Sequence, residues 1–442
     1  MNPEKIIYPS IKLSDMTVVP GSNASFVNVG DTPLFTMEPG GKIRLNITIP
    51  AQFKYKLYND NSVDPVATFT NVDEVRNNNN PFDKTSITRV LITHKDGTNP
   101  ISWEHLFEGY TSLTTVLMSR ESDPTNYNDY TITQYVNNMS YMFYAATSFN
   151  QDISGWDVRN VTDMSYMFGY ATKFNNGTTE QTDLNSWYWN VGKVTNMEYM
   201  FYYARNFNQD ISGWNVGKVT NMEGMFKNTQ FFNGNISGWD VRKVTSMSYM
   251  FENAQLFNQD ISQWVVSNVT YMSGMFAGTK QFNNGDASLN WGNKVSNVTN
   301  MYAMFSYAEE FNQDISGWNV SNVTNMSFMF NVAKKFNNGD TPLNWGDKVS
   351  NVTNMYAMFY NAEDFNQDIS NWNVSNVTDM TEMFAYAKFF NQNISDWVLN
   401  PNVTLTKMFF GAITFDSAWD YDGKDNYNYT PNANNWEFRE IQ

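Results

Sequence analysis

Apolar residues along this chain fall into a pattern that repeats. The block Met-x-x-Met-Phe recurs at residues 139–143, 164–168, 197–201, 222–226, 247–251, 272–276, 301–305, 326–330, 355–359 and 380–384, and an altered copy stands at 405–409. Successive copies are 25, 33, 25, 25, 25, 29, 25, 29, 25 and 25 residues apart. A fixed period of this size marks an array in which each unit is one coil, and leucine-rich repeats have periods of roughly 20–29 residues.

The text between the blocks is equally regular. One unit reads Ile153-Ser-Gly-Trp156-Asp-Val158-Arg-Asn-Val161-Thr-Asp-Met164-Ser-Tyr-Met167-Phe168-Gly-Tyr-Ala171-Thr-Lys-Phe174-Asn175. Its first half, Ile-x-x-Trp-x-Val, spaces Trp and Val for one face of a short strand, because successive side chains on a strand point to opposite sides. In the second half apolar residues recur at intervals of three. That spacing predicts a helical or 3₁₀ turn that returns the chain for the next coil.

The frame extends backwards to Ile87-x-x-Val90-x-Ile92 and Leu113-x-x-Val116-x-Met118. The expected fold is therefore a leucine-rich-repeat-like solenoid over residues 87–418, with a short parallel strand and a helical or 3₁₀ turn in each coil. About twelve coils at roughly 4.8 Å each make a rod or arc of about 55 Å. Residues 120–134 read as an insertion in this frame, and the longer steps read as loops at 175–189, 283–291 and 337–345, rich in Gly, Asn and Asp. Residues 1–80 do not follow the period. There Ile43-Arg-Leu-Asn-Ile-Thr-Ile49 alternates, and Gly40-Gly41 and Asn59-Asp60-Asn61 look like turns. A small β-sandwich-like N-terminal domain is expected, with the asparagine run at 77–80 as linker. Residues 419–442, with Tyr421, Tyr427, Tyr429 and Trp436, are expected to cap the last coil, since an open solenoid end exposes its core.

Composition narrows the function. Hydrophobic residues are 41 %, with 25 Met and 16 % aromatics, so the core is built from large, soft side chains. The formal charge is −16 and no basic stripe exists, which disfavours nucleic acid and anionic membrane as partners. There is no cysteine, which removes disulfides, thiolate catalysis and Cys-ligated metal. The sequence has no run of 18 apolar residues, so membrane insertion is not expected, and the first residues carry no signal-peptide pattern.

Three recurrent motifs invite chemistry. Phe-Asn stands in each unit from Phe149-Asn150 to Phe390-Asn391, and predicts a ladder of amides that satisfy turn backbone in successive coils. Asn-Gln-Asp places Asp152, Asp210, Asp260, Asp314 and Asp368 in line as a conceivable calcium row, yet Asn235 and Asn393 replace the Asp, so turn capping is the simpler reading. Asn-Val-Thr recurs up to Asn402 and is formally a glycosylation acceptor, though it is also simply repeat text.

No catalytic residues are expected. The only histidines are His94 and His105, and a uniform ladder of carboxylates offers no special pair. No cofactor or metal is expected either. The candidate ligand-binding residues lie on the expected strand face, beside the inward Trp and Val: Asp157, Arg159, Asn215, Asp240, Arg242, Val265, Asn319 and Asn373. Arg159, Arg242 and Val265 break an otherwise small and polar pattern.

The unit Phe-Asn-Gln-Asp-Ile-Ser-x-Trp-x-Val-Ser-Asn-Val-Thr-x-Met-x-x-Met-Phe-x-x-Ala, nearly intact at 311–333 and 365–387, resembles the repeat of BspA-like leucine-rich-repeat surface proteins. The resemblance implies a non-enzymatic protein of a cell surface or secretion that adheres to protein or glycan on another surface. Related arrays also occur in large DNA viruses. The chain shows no leader, lipoprotein cysteine or wall-sorting tail. The alternative expectation is therefore a structural component of a virion or surface layer, held to capsid or surface-layer proteins by the N-terminal β domain. Either way the expected location is extracellular or surface-exposed.

Overall fold

The computed structural model describes residues 53–59, 64–70, 72–76, 83–94, 101–178, 187–424 and 429–441, together with the backbone of four short strands nearer the N-terminus. Most of residues 1–80, the run at 77–80 and part of the 175–189 loop lie outside the described residues. Strand β1 (Met16–Val18) pairs antiparallel with β4 (Leu45–Ile47), and β2 (Ala24–Val29) with β3 (Thr32–Met37).

The array opens on a four-stranded sheet. Strand β5 (Phe53–Tyr58) lies between β6 (Ala67–Phe69) and β7 (Arg89–His94), antiparallel to both, while β9 (Thr115–Arg120) runs parallel to β7. Its alternation is visible in the sequence: Phe53, Tyr55 and Leu57 are buried, as are Val90, Ile92 and His94. Val90 lies opposite Val116, and Ile92 opposite Met118, so the first two coils pair as their Val-x-Ile and Val-x-Met spacing predicts. Strands β5 and β6, from the stretch expected in a separate domain, are thus hydrogen-bonded into the sheet that starts the array.

Beyond these coils the Trp-x-Val segment is not a strand. Trp156 N–H donates to Ile153 O at 3.0 Å and Val161 N–H to Val158 O at 2.9 Å, closing a tight turn on each side of Asp157. Too little extended backbone is left between two turns to form a ladder. The parallel pairing falls instead on the residue before each first Met: Asn138, Asp163, Asn196, Asn221, Ser246, Tyr271, Asn300, Asn325, Asn354, Asp379 and Thr404, each bridged to the next. Strand β10 (Val136–Asn138) joins this series to β8 (Ile101–Ser102).

Nor does the second half of the unit form a helix. Met142 N–H reaches Met139 O at 3.2 Å, and Ala146 N–H reaches Phe143 O at 3.0 Å. Between these turn bonds, Tyr141 and Ala145 donate across to Ser165 O (2.8 Å) and Gly169 O (2.7 Å) of the next coil. Both residues have left-handed backbone, φ 56° and 57°. A left-handed non-glycine residue costs about 1–2 kcal/mol. Here it turns the N–H out of the coil and onto its neighbour. Each interval of three apolar positions is therefore one tight turn, and the molecule is a repeat solenoid of linked turns.

The core is a continuous spine. Phe305 stacks on Phe311 within a coil at 3.9 Å between centroids, and on Phe330 of the next at 5.8 Å. Trp318 is fully buried and donates Nε1–H to Leu289 O at 3.1 Å; Trp345, Trp372 and Trp397 repeat the contact with Ile315, Leu343 and Ile369. The asparagine ladder forms as its spacing predicts: the Asn312 Oδ1 accepts Asn337 N–H at 2.8 Å, as Asn283 does for Asn312 and Asn366 for Asn391. At the far end helix α1 (Ile413–Ala418) places Phe415 on Phe409, and the pair β11 (Trp419–Tyr421) and β12 (Phe438–Glu440) covers both rings. Trp419 Nε1–H closes the amide ladder on Asn391 Oδ1 at 2.8 Å.

Candidate functional site

The eight residues singled out from the sequence lie in six coils, on the turn after the buried Trp. Their polar atoms serve that turn. Asp157 Oδ1 accepts the Arg159 backbone N–H at 3.2 Å and Arg159 Nε at 2.8 Å. Asp240 holds Arg242 in the same way, with a second contact from Nη2 at 2.8 Å, and the guanidinium pulls its carboxyl down to about 2. Asn215 caps Gly217 N–H at 3.2 Å, and Asn319 caps Ser321 N–H at 3.2 Å. Asn373 takes the Ser375 hydroxyl at 2.7 Å. Val265 fills the same place with an exposed apolar side chain. The structure makes these residues a ridge of turns at the coil edge, not the face of a sheet.

The Asn-Gln-Asp carboxylates are likewise turn caps. Asp260 Oδ1 accepts Ser262 N–H at 2.9 Å, and Asn393 does the same for Ser395 at 2.9 Å, which explains why Asn can replace Asp. Among the described residues no group of three His, Cys, Asp or Glu side chains could hold a metal ion. His94 is buried, and His105 Nδ1 lies 2.7 Å from a Glu108 carboxylate oxygen.

Surface aromatics gather elsewhere, on the face of the parallel ladder. The left-handed residue two places after the first Met of a block is Tyr141, Tyr166 or Tyr199 in successive coils, and in the coil before them His105 stands two places after Trp103. Their rings stack in file: His105 on Tyr141 at 4.5 Å, Tyr141 on Tyr166 at 4.6 Å, Tyr166 on Tyr199 at 4.9 Å. The file ends where Gly224 follows; a Cβ there would stand 2.2 Å from the Tyr199 ring. A second file runs beside it, with Tyr170 stacked on Tyr203 at 4.9 Å and Tyr144 and Tyr202 packed edge-on against Tyr170. Tyr170 Oη–H donates to Tyr202 Oη at 3.2 Å. Farther along the same face stand Tyr302, Tyr307, Phe328, Tyr356, Tyr360 and Tyr386; Tyr307 is 51 % exposed.

Carboxylates are interleaved with the first file. Glu198 accepts Asn221 Nδ2 at 3.0 Å, Glu223 accepts the Tyr199 hydroxyl at 3.3 Å, and Asp163 accepts Asn196 Nδ2 at 3.4 Å. Burial, then the charges of Glu223 and Asp163, hold the Glu198 carboxyl above its ordinary range. Burial and the neighbouring glutamates likewise raise the hydroxyls of Tyr166 and Tyr199, which stay protonated donors at neutral pH. The surface offers stiff aromatic edges, hydroxyl donors and acidic acceptors. Sequence reasoning missed it because it placed the paired face at Trp-x-Val. The available signal was Tyr at the x positions of Met-x-x-Met-Phe, where a solvated turn has no need of a large ring.

No curated protein and no solved structure matches the chain. One family pattern matches in tandem, over residues 69–188, 111–219, 178–291, 288–346 and 343–436, and its description is Mycoplasma protein of unknown function, DUF285. Those matches tile the chain from residue 69 to residue 436, and the protein belongs to this repeat family.

Proposed function

We propose that this chain is a non-enzymatic recognition protein, displayed on a surface, which binds protein or glycan through the tyrosine face of its array. The observation that carries the reading is the double file of stacked, partly exposed tyrosines from Tyr141 to Tyr203. Buried Phe, Met and Trp supply most of the folding energy, and other coils fold without a ring at the place of Tyr199. Tyrosine is the residue that binding surfaces favour, because it brings a large amphipathic area at a low entropy cost. Stacking fixes these rings before any ligand arrives, which reduces the ordering penalty further.

The finer architecture belongs to the same reading. Each coil adds one rung to the parallel ladder from Ser102 to Thr404, and the apolar text resembles BspA-like leucine-rich repeats, so we assign the array to that class with about twelve coils. Adhesion to a second surface suits a long, repeated and rigid face. Catalysis would need a distinct acid–base pair in a cleft, and the carboxylates at this face are spread along a ladder.

The test is binding of the purified chain to arrayed glycans and to arrayed surface proteins. The variant carries Tyr170→Asn and Tyr203→Asn. Asn228 and Asn253 occupy the matching left-handed places in other coils, so the variant keeps the backbone it needs. A ligand held by the native chain should weaken about tenfold or more in the variant, with the far-ultraviolet circular dichroism of the folded chain retained. Equal binding by the two proteins would refute the assignment of the face. Turnover of the bound ligand would refute its non-enzymatic nature.

A further inference from the structure

Resting on that reading of the tyrosine face, we propose that its stretch around Glu198, Tyr199 and Glu223 receives a basic segment of a protein partner, with Lys or Arg side chains set against the paired carboxylates and tyrosine rings.

The unbalanced charge of this stretch carries the argument. Asp163, Glu198 and Glu223 occupy three successive coils, and among the described residues none of them is ion-paired. Their side-chain partners are all neutral: the backbone N–H and hydroxyl of Ser165, the amides of Asn196 and Asn221, and the hydroxyls of Tyr199 and Ser246. Hydrogen bonds from neutral groups leave the negative charge in place. Like charges on neighbouring rungs repel, and after burial they are the next cause of the raised Glu198 carboxyl.

The array neutralises such charge elsewhere. Lys334 Nζ lies 2.9 Å from Glu309, Lys280 lies 3.7 Å from the same carboxylate, and Lys335 pairs with Glu310. More telling is Lys227, on the coil after Tyr199. Its ammonium sits 2.6 Å from Glu252, 4.9 Å from the centre of the Tyr249 ring and 6.0 Å from that of Tyr202. This is a cation seated between a carboxylate and tyrosines, supplied by the chain itself. Around Tyr199 the same chemistry is present without the lysine. An incoming ammonium or guanidinium would complete it, gaining charge pairing and ring contact together. Polyanionic ligands are repelled from the same place.

The experiment titrates the full chain with an arginine–glycine decapeptide, a glutamate–glycine decapeptide and a neutral oligosaccharide, followed by calorimetry at physiological salt. Two double variants remove equal charge: Glu198→Gln with Glu223→Gln, and Glu309→Gln with Glu310→Gln. The proposal expects the arginine peptide to bind, to weaken about tenfold in the first variant and less than about twofold in the second. Equal weakening in both would mean diffuse attraction to an acidic chain, and would overturn it. Preferred binding of the oligosaccharide, lost in the Tyr170→Asn, Tyr203→Asn protein but kept in the glutamine variants, would sink the basic partner and leave the tyrosine face standing. Binding of either ligand unaffected by the tyrosine changes would remove both readings. Should the glutamine variant misfold, carbon-detected titration of Glu198 in the native chain decides: bound peptide must lower its pKa, and an unchanged value refutes the contact.

Discussion

Trp318 to Ala is the sharpest test of the spine. The indole is fully buried and stacks on Trp291 at 5.4 Å between centroids. Phe305 tilts against it at 6.2 Å, and its Nε1–H satisfies the Leu289 carbonyl at 3.1 Å. Truncation removes the largest side chain from a place bounded by the coils on either side. Those coils are held apart by the Phe columns and the backbone ladder, so the gap cannot close well. Cavity formation of this kind costs about 3–5 kcal/mol. Loss of the indole donor leaves the Leu289 carbonyl with the Trp291 N–H alone, at 3.1 Å, and adds about 1 kcal/mol or less. Trp318 to Phe separates the two effects: it keeps most of the volume and loses the donor, so it should cost about 1–2 kcal/mol. Urea unfolding followed by far-ultraviolet circular dichroism and by tryptophan fluorescence reads both variants. Since coils contact only their neighbours, the alanine variant should also open first near its own coil, seen as fast amide exchange in residues 289–345 before the rest. An unchanged midpoint for the alanine variant would refute the assignment of this row to the core.

Two further outcomes follow from the hydrogen bonds. Asn312 to Ala should lower stability by about 1–2 kcal/mol, because Asn337 N–H and Gly339 N–H lose their acceptor, whereas Asn312 to Asp keeps that oxygen and should lose less; chemical unfolding midpoints compare them. Asp416, half-buried beside Tyr421 in the cap, has its carboxyl pushed up to about 6 by loss of solvent. A carboxyl raised in the folded state holds its proton there more tightly than in the unfolded chain. The cap should therefore be most stable below the ordinary carboxylate range and weaken as pH rises to about 6, and Asp416 to Asn should flatten that dependence in melting scans across pH 4–7.

The exposed tyrosines also show how the repeat tolerates change. The place of Tyr199 is held by Gly224, Tyr249, Gly274, Ala303, Phe328, Ala357, Glu382 and Lys407 in later coils, all with left-handed backbone. The fold demands the backbone state and leaves the side chain open. A row of Tyr in three neighbouring coils, continued by His105, is thus a choice the coil does not enforce, which is why it reads as function.

The sequence by itself determined the period, the core and the ladders. Apolar residues every three positions can all face inward only if each interval is one turn of backbone, and repetition at 25 residues brings like onto like. Phe-Asn in every unit then places Asn312 over Asn283 with no tertiary knowledge. Tertiary structure alone decided where the coils pair. Trp156-Asp-Val158 has strand spacing, but the turns that close on Ile153 and Val158 deny it the length to pair. The ladder moved to Asp163 and its equivalents, carried by N–H groups that left-handed residues turn outward. That sign of φ is not written in the side chains, since Tyr, Ala, Phe and Glu all adopt it here; it is imposed by the neighbouring coil, whose carbonyls those N–H groups satisfy. With the ladder went the broad face, and so the tyrosine file came to light on the side opposite in pattern to the one that strand spacing favoured.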